Sequence, residues 1–229
     1  MKKIDNHIIV IGGESARDMQ RMTPIDEYIC SLTDKINPTI LYISTANGDD
    51  LVKISNFTEK YKGAECTVTP LTFFIPPFPH ADHISSLIDQ ADIIYVGGGN
   101  TRAMLAIWRE FGVISLLKKA WAKGKVLCGV SAGAICWFDY GHSDSGGSFA
   151  LISGIGLLPG ALCPHFNSEA GREASFVEII FDKNIYPAYA VDDGIALHFK
   201  NCQFHKKVYN DASCRGYEVN ARSSYVKPL

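Results

Sequence analysis

A serine hydroxyl attacks a carbonyl only after a base takes its proton. The residues to look for are therefore a serine on an exposed turn, a histidine to act on it, and an acid to orient the histidine. Gly129-Val-Ser131-Ala-Gly133 fits the G-x-S-x-G pattern of a nucleophile elbow, in which a sharp strand-to-helix turn lifts the hydroxyl above the sheet edge. The five residues alone are a weak signal, because small residues often line such a turn for packing only. Their setting strengthens it: the apolar run Val126-Leu-Cys128 precedes the turn and the helix-compatible Ala134-Ile-Cys-Trp-Phe138 follows. Gly129 and Gly133 let neighbouring backbone approach a turn strained at its serine, and Ala132 and Ala134 keep side chains off the hydroxyl.

The base has seven candidates. His7 and His198 lie inside strand-like runs, and His80, His83, His142 and His205 lie in polar stretches that suit solvated side chains. His165 differs, because Pro164 stiffens the chain before it and it closes an apolar stretch. It is the candidate base, its alternative being a hydrogen-bonded loop histidine. For the acid, Asp193 ends a strand-like run in Val191-Asp-Asp-Gly194, while Asp144 in the loop after the elbow helix is a rival. Asp-Gly is also a strong hairpin signal, the plain reading of that segment. Gly97-Gly-Gly-Asn100 could be a phosphate cradle, an oxyanion hole or a tight turn. Neither phosphate-binding glycine motif is present in it. For acyl transfer, Gly98 or Gly99 together with Ala132 would supply the N–H donors.

The elements that must position these residues follow from the apolar pattern. His7 to Ile11, Thr39 to Thr45, Cys66 to Phe74, Ala91 to Gly97 and Val126 to Val130 read as strands. Helical stretches over 24–36, 51–61, 81–90, 101–111 and 113–122 separate them, the first opened by Thr23-Pro24 with Asp26-Glu27 in its first turn. This alternation predicts an α/β fold, a three-layer, mostly parallel sheet with helices on both faces and ligands outside the strands' carboxyl ends. The glycine turn and Ser131 both fall at such ends. Past the elbow, 139–147 reads as a polar loop, 149–159 as a glycine-broken apolar segment and 169–181 as a helix. The tail reads as short strands at the sheet edge or an antiparallel extension.

With 229 residues the chain is expected to form one domain, 1–229, with a sizeable core. Twenty-two basic and 24 acidic side chains leave a formal charge of −2, so no nucleic-acid or membrane-surface partner is expected. The apolar run at the start spans only Ile8 to Ile11, too short for a signal peptide. Seven cysteines without a C-x-x-C pair suit free thiols in a cytoplasmic protein. Histidines and cysteines show no metal-ligand spacing, and no cofactor is expected.

Val96-Gly-Gly-Gly-Asn-Thr101, Gly129-Val-Ser-Ala-Gly-Ala134, Pro164-His-Phe166 and Asp192-Asp-Gly194, in this order and spacing, resemble the peptidase E family of serine peptidases. The resemblance spans most of the chain. It implies a fold like class I glutamine amidotransferase domains and relatives that include α-aspartyl dipeptidase and cyanophycinase. It implies Ser131 as nucleophile, His165 as base, and Gly98 or Gly99 with Ala132 as oxyanion hole. For the acid it points to Asp193, with Asp144 as the alternative, and Asp193 is preferred because a strand end is the firmer platform. Asn100 and Arg172 are the candidate substrate contacts. Arg172 matches an arginine that pairs with the substrate aspartate in the dipeptidases, although the loop from His165 is shorter here; a solvated arginine at a helix start is the other reading. The expected partner is a small peptide, and the expected assembly a monomer or homodimer. Two rivals stand beside this reading: an α/β-hydrolase-like esterase using Ser131, Asp144 and His165, and a non-catalytic binding module that keeps the elbow for packing.

Overall fold

The computed structural model describes residues 5–15, 17–220 and 225–229. The apolar runs of the first half form β1 (His7–Ile11), β2 (Thr39–Ile43), β3 (Thr67–Leu71), β4 (Ile93–Val96) and β5 (Val126–Val130). Between them lie α1 (Pro24–Ser31), α2 (Leu51–Lys62), α3 (Ala81–Gln90), α4 (Thr101–Glu110) and α5 (Val113–Ala122). The elbow leads into the single-turn α6 (Ala132–Ile135) and then β6 (Phe138–Ser143), β7 (Ala150–Ser153) and β8 (Leu158–Cys163). The chain ends with α7 (Arg172–Lys183), β9 (Ala188–Val191), β10 (Ile195–Lys200), β11 (Gln203–Tyr209), β12 (Gly216–Asn220) and β13 (Tyr225–Pro228).

A seven-stranded sheet runs in the order β11-β10-β1-β5-β4-β2-β3, parallel from β1 to β3 and antiparallel at β10 and β11. β1 shows why helices cover both faces. Ile8 and Val10 join the core packed under α3, α4 and α5, whereas Ile9 and Ile11 join the core under α1 and α2. All four are at most 1% exposed, and burying each contributes ~1.5–3 kcal/mol. Pro70, which has no N–H for a ladder, sits in the edge strand β3, where such a residue is tolerated.

The expected three-layer, mostly parallel architecture is observed, with departures. Of the expected loop 139–147 only 144–147 is one: Phe138–Ser143 is a strand, and it opens a second sheet of order β13-β12-β9-β8-β6-β7. The elbow helix is one turn long because the carbonyls of Cys136, Trp137 and Phe138 accept from Ile155, Leu157, Leu158 and Gly156 of the facing segment. α1 carries the expected start, with Thr23 and Asp26 forming a capping box, but ends at Ser31, where Leu32 caps it and the Thr33 hydroxyl donates to the Cys30 carbonyl. Of the tail strands only β10 and β11 extend the first sheet; β9, β12 and β13 belong to the second, where Phe176 and Ile180 of α7 pack. Among the described residues no helix is long and apolar enough to cross a membrane.

Candidate active site

Every residue of β5 is buried, and the strand delivers Ser131 to the sheet's carboxyl edge. Ser131 has φ 54° and ψ −112°, a conformation that costs a serine ~1–3 kcal/mol. Neighbouring bonds hold it there: its N–H donates to the Ile11 carbonyl at 3.0 Å, and its carbonyl accepts from Ala134 and Ile135 at 2.9 and 3.0 Å. The small residues serve as expected. A Cβ on Gly133 would lie 2.1 Å from the Val96 carbonyl oxygen, so only glycine lets α6 press onto β4.

His165 follows β8 in the second sheet and also has positive φ, 53°. Phe166 N–H donates to the Val191 carbonyl at 3.1 Å, which ties this turn to the end of β9. Its Nε2 lies 2.8 Å from Ser131 Oγ, and its Nδ1 lies 2.6 Å from Asp193 Oδ1. A carboxylate only accepts, so Nδ1 carries the proton and Nε2 is left to accept from the serine hydroxyl. The bond from His165 holds the Asp193 carboxyl below the usual range, against the upward push of partial burial. Asp193 stands in the crossing from β9 to β10, which lie in different sheets, so Asp192-Asp193-Gly194 is not the turn of a hairpin. Gly194 N–H donates to the Gly13 carbonyl, and Asn210 N–H donates to the Gly194 carbonyl, clamping the crossing from both sides.

Gly13 is a close-packed neighbour that sequence reading passed over as the end of a strand. A Cβ there would sit 2.0 Å from Asp193 Oδ1 and 2.7 Å from His165 Cε1. On the other side of Ser131, Gly98 approaches so closely that its Cβ would lie 3.3 Å from Ser131 Cβ. Gly97 N–H donates to Ile43 and Asn100 N–H to Ala46. Among the described residues, the N–H groups of Gly98, Gly99 and Ala132 have no such partner.

Four expectations change. Asp144 makes no hydrogen bond to His165, whose ring nitrogens are taken by Asp193 and Ser131; its exposed carboxylate lies 3.5 Å from the Arg172 guanidinium. Arg172 is not a solvated arginine but is 2% exposed, with Nε and one terminal nitrogen on Glu169 Oε2 at 2.8 and 2.5 Å and the other on the His142 carbonyl at 3.2 Å. Asn100 is spent on capping α4: its Oδ1 accepts from Ala103 N–H at 2.9 Å and its amide donates to the Ser145 carbonyl at 3.4 Å. His142, read as solvated, is fully buried, bonded through Nε2 to the Ser175 hydroxyl; burial, with the nearby Arg172 charge, pushes it down to about 4.

Ser131 and His165 line two cavities of about 210 Å³ each. One, on the α2 side, is walled by Glu14, Tyr42, Phe57, Lys60 and Tyr95. The other is walled by Thr101, His142, Asp144, Glu169 and Arg172. The first set was missed in the sequence. Glu14 could have been found, since it directly follows Gly12-Gly13 at a strand's carboxyl end, where ligands bind in such sheets. Among the described residues no group of three or more His, Cys, Asp or Glu side chains is arranged to hold a metal ion.

Comparison with known proteins places this geometry among relatives. The model of peptidase family S51 matches residues 8–207. The uncharacterized peptidase YgaJ of Bacillus subtilis is 36% identical over 212 residues, covering 93% of this chain and 91% of its own. Peptidase E of Haemophilus influenzae (strain PittGG) is 25% identical over 162 residues, covering 63% of this chain and 66% of its own. Among solved structures, a peptidase from an acI-B1 actinobacterium superposes with TM-score 0.75 at 17% identity, covering 99% of this chain and 94% of that one. At such identity the likeness speaks to the fold alone.

Proposed function

We propose, from the premise that this chain belongs to peptidase family S51, that it is a serine peptidase acting on small peptides through an acyl-enzyme. The observation that carries this reading is the continuous hydrogen-bonded line from Ser131 Oγ through the His165 ring to Asp193 Oδ1, with contacts of 2.8 and 2.6 Å. Ser131 attacks the scissile carbonyl while His165 Nε2 takes its proton, and Asp193 holds the imidazole in the required tautomer and stabilises the cation that forms. The free N–H groups of Gly98 or Gly99 and of Ala132 receive the developing oxyanion, a contribution of ~10²–10³ in rate per donor. His165 then gives its proton to the leaving amine, and water, activated by the same imidazole, releases the acyl group.

The substrate is, in the finer reading, an Asp-X dipeptide. Glu169 Oε2 takes the guanidinium edge, Nε and one terminal nitrogen, that an aspartyl carboxylate would use, so the reading requires Glu169 to be displaced by the incoming acid. Hydrolysis of Asp-Leu, Glu-Leu, Ala-Leu and Leu-Leu by wild type, Ser131→Ala and Arg172→Ala tests both levels. Cleavage that disappears in Ser131→Ala supports the chemistry, and selective loss of Asp-Leu in Arg172→Ala supports the specificity. Full activity in a folded Ser131→Ala protein would remove Ser131 from the reaction.

A further inference from the structure

Beside the α2-side cavity lies a lysine–carboxylate network that the reaction above does not use. Lys60, 1% exposed, bonds Asp26 at 2.8 Å and Glu14 at 3.3 Å. Asp26, equally buried, is fully engaged: it accepts from Lys60, from the Thr23 N–H and hydroxyl, and from the Tyr61 hydroxyl at 2.6 Å. Lys60 is thus matched at its shorter contact by Asp26, and two carboxylates share one ammonium. Glu14 is left with the longer contact and a 3.4 Å bond from the Tyr95 hydroxyl. Its side chain keeps 17% of its surface, and it lines the cavity that Ser131 and His165 also line. Burial above all, with the nearby Asp26 and Asp18, raises its pKa, and Lys60 pulls it back only in part.

Position relates this acid to the chemistry. Gly13, its immediate neighbour, packs directly on Asp193 and His165. Glu14, Ser131 and His165 line the same cavity, so a group held by Glu14 shares that space with a carbonyl presented to Ser131. The walls include the mutually packed rings of Tyr42, Phe57 and Tyr95 together with Met19, Asn47, Asn56 and Val130, and aromatic rings tolerate a cation better than an anion. Lys53, exposed on α2, is the one other cation among the cavity's lining residues.

We infer that this cavity is the binding site for a positively charged group of the substrate, an ammonium or guanidinium paired with Glu14. This rests on the serine-peptidase reading and extends it to substrate charge. Two parts of a peptide can supply the cation: its free N-terminal amine, or a lysine or arginine side chain. The aromatic and amide side chains of the walls fit either, and the pairing with Glu14 is the same. The cation takes over at Glu14 the longer contact that Lys60 supplies, and Lys60 keeps its shorter contact to Asp26, so no charged group is left unpaired.

The test compares kcat/KM for Lys-Leu, norleucyl-leucine, Glu-Leu and the N-acetylated form of each, with wild type, Glu14→Gln and Glu14→Asp. Wild type is expected to prefer a cationic peptide over its neutral counterpart by about tenfold or more, chiefly through KM. In Glu14→Gln that ratio falls to about one, and Glu14→Asp, which keeps the charge, recovers part of it. Loss on N-acetylation identifies the terminal amine; loss from Lys-Leu to norleucyl-leucine, retained in the acetylated pair, identifies the side chain. The proposal is overturned if wild type is indifferent to the cation. It is also overturned if Glu14→Gln lowers every peptide equally, or if Glu-Leu is preferred and that preference depends on Lys53. Turnover of p-nitrophenyl acetate by wild type reports on the serine chemistry separately. Its absence, with every peptide uncleaved, removes the underlying reading and this one with it.

Discussion

Ser131 and His165 both hold positive φ, 54° and 53°, at residues that gain nothing locally from it. Such strain persists only where surrounding contacts over-determine the backbone, and here it places Oγ and Nε2 2.8 Å apart. The acid is distinguished at the same scale. Asp193 is 2.6 Å from the ring, whereas Asp144 is engaged with Arg172. Asp193→Asn would present an amide to Nδ1 and favour the wrong tautomer, so kcat should fall on the order of 10³–10⁴ with the fold intact. Asp144→Asn should change kcat by less than about tenfold, because it loses only an exposed ion pair. Steady-state kinetics of the two variants decides between them, and equal mild losses would contradict the assignment of Asp193.

At the scale of elements, each reactive group hangs from a strand end, and glycine sets how closely those ends meet. Gly13→Ala must push the Asp193 carboxylate or the His165 ring aside, and a displacement of about 1 Å at a reacting group costs ~10² in rate. We expect kcat to fall by about that factor with an unchanged circular dichroism spectrum. Gly63→Ala, with φ −61° and its nearest neighbour 3.6 Å from the new Cβ, should leave kcat unchanged. Equal activity of Gly13→Ala and wild type would contradict the close packing of β1 on the triad. The parallel sheet and its elbow were legible in the sequence because period, capping and small residues at a turn are local signals. Ser131, His165 and Asp193 were legible by type and order along the chain. The second sheet was not, since Asp139-Tyr-Gly-His-Ser143 has a loop's composition and becomes a strand only by pairing with β7 and β8. Nor were the partners of Arg172 and Lys60, because the choice of a buried counter-ion is made by packing between distant segments.

Across the whole molecule, the triad is built at the junction of the two sheets. Ser131 comes from the end of β5 in the first, His165 from the end of β8 in the second, and Asp193 from the crossing that joins them. Phe166 N–H to Val191 and Gly194 N–H to Gly13 tie these ends together, so the hydrogen-bonded line exists only when both sheets are docked. The two cavities meet at that line, one carrying Glu14 with Lys53 and Lys60 and the other Arg172 with Asp144 and Glu169, so charges of both signs stand on each side of Ser131.

The most direct test of this account is labelling with a fluorophosphonate, with the modified residue located by mass spectrometry of a proteolytic digest. Wild type should take up one phosphonyl group, on Ser131, and His165→Gln should lose that reactivity while remaining folded. A folded wild-type protein that stays unmodified, or one modified at another serine, would contradict the assignment of Ser131 as the nucleophile.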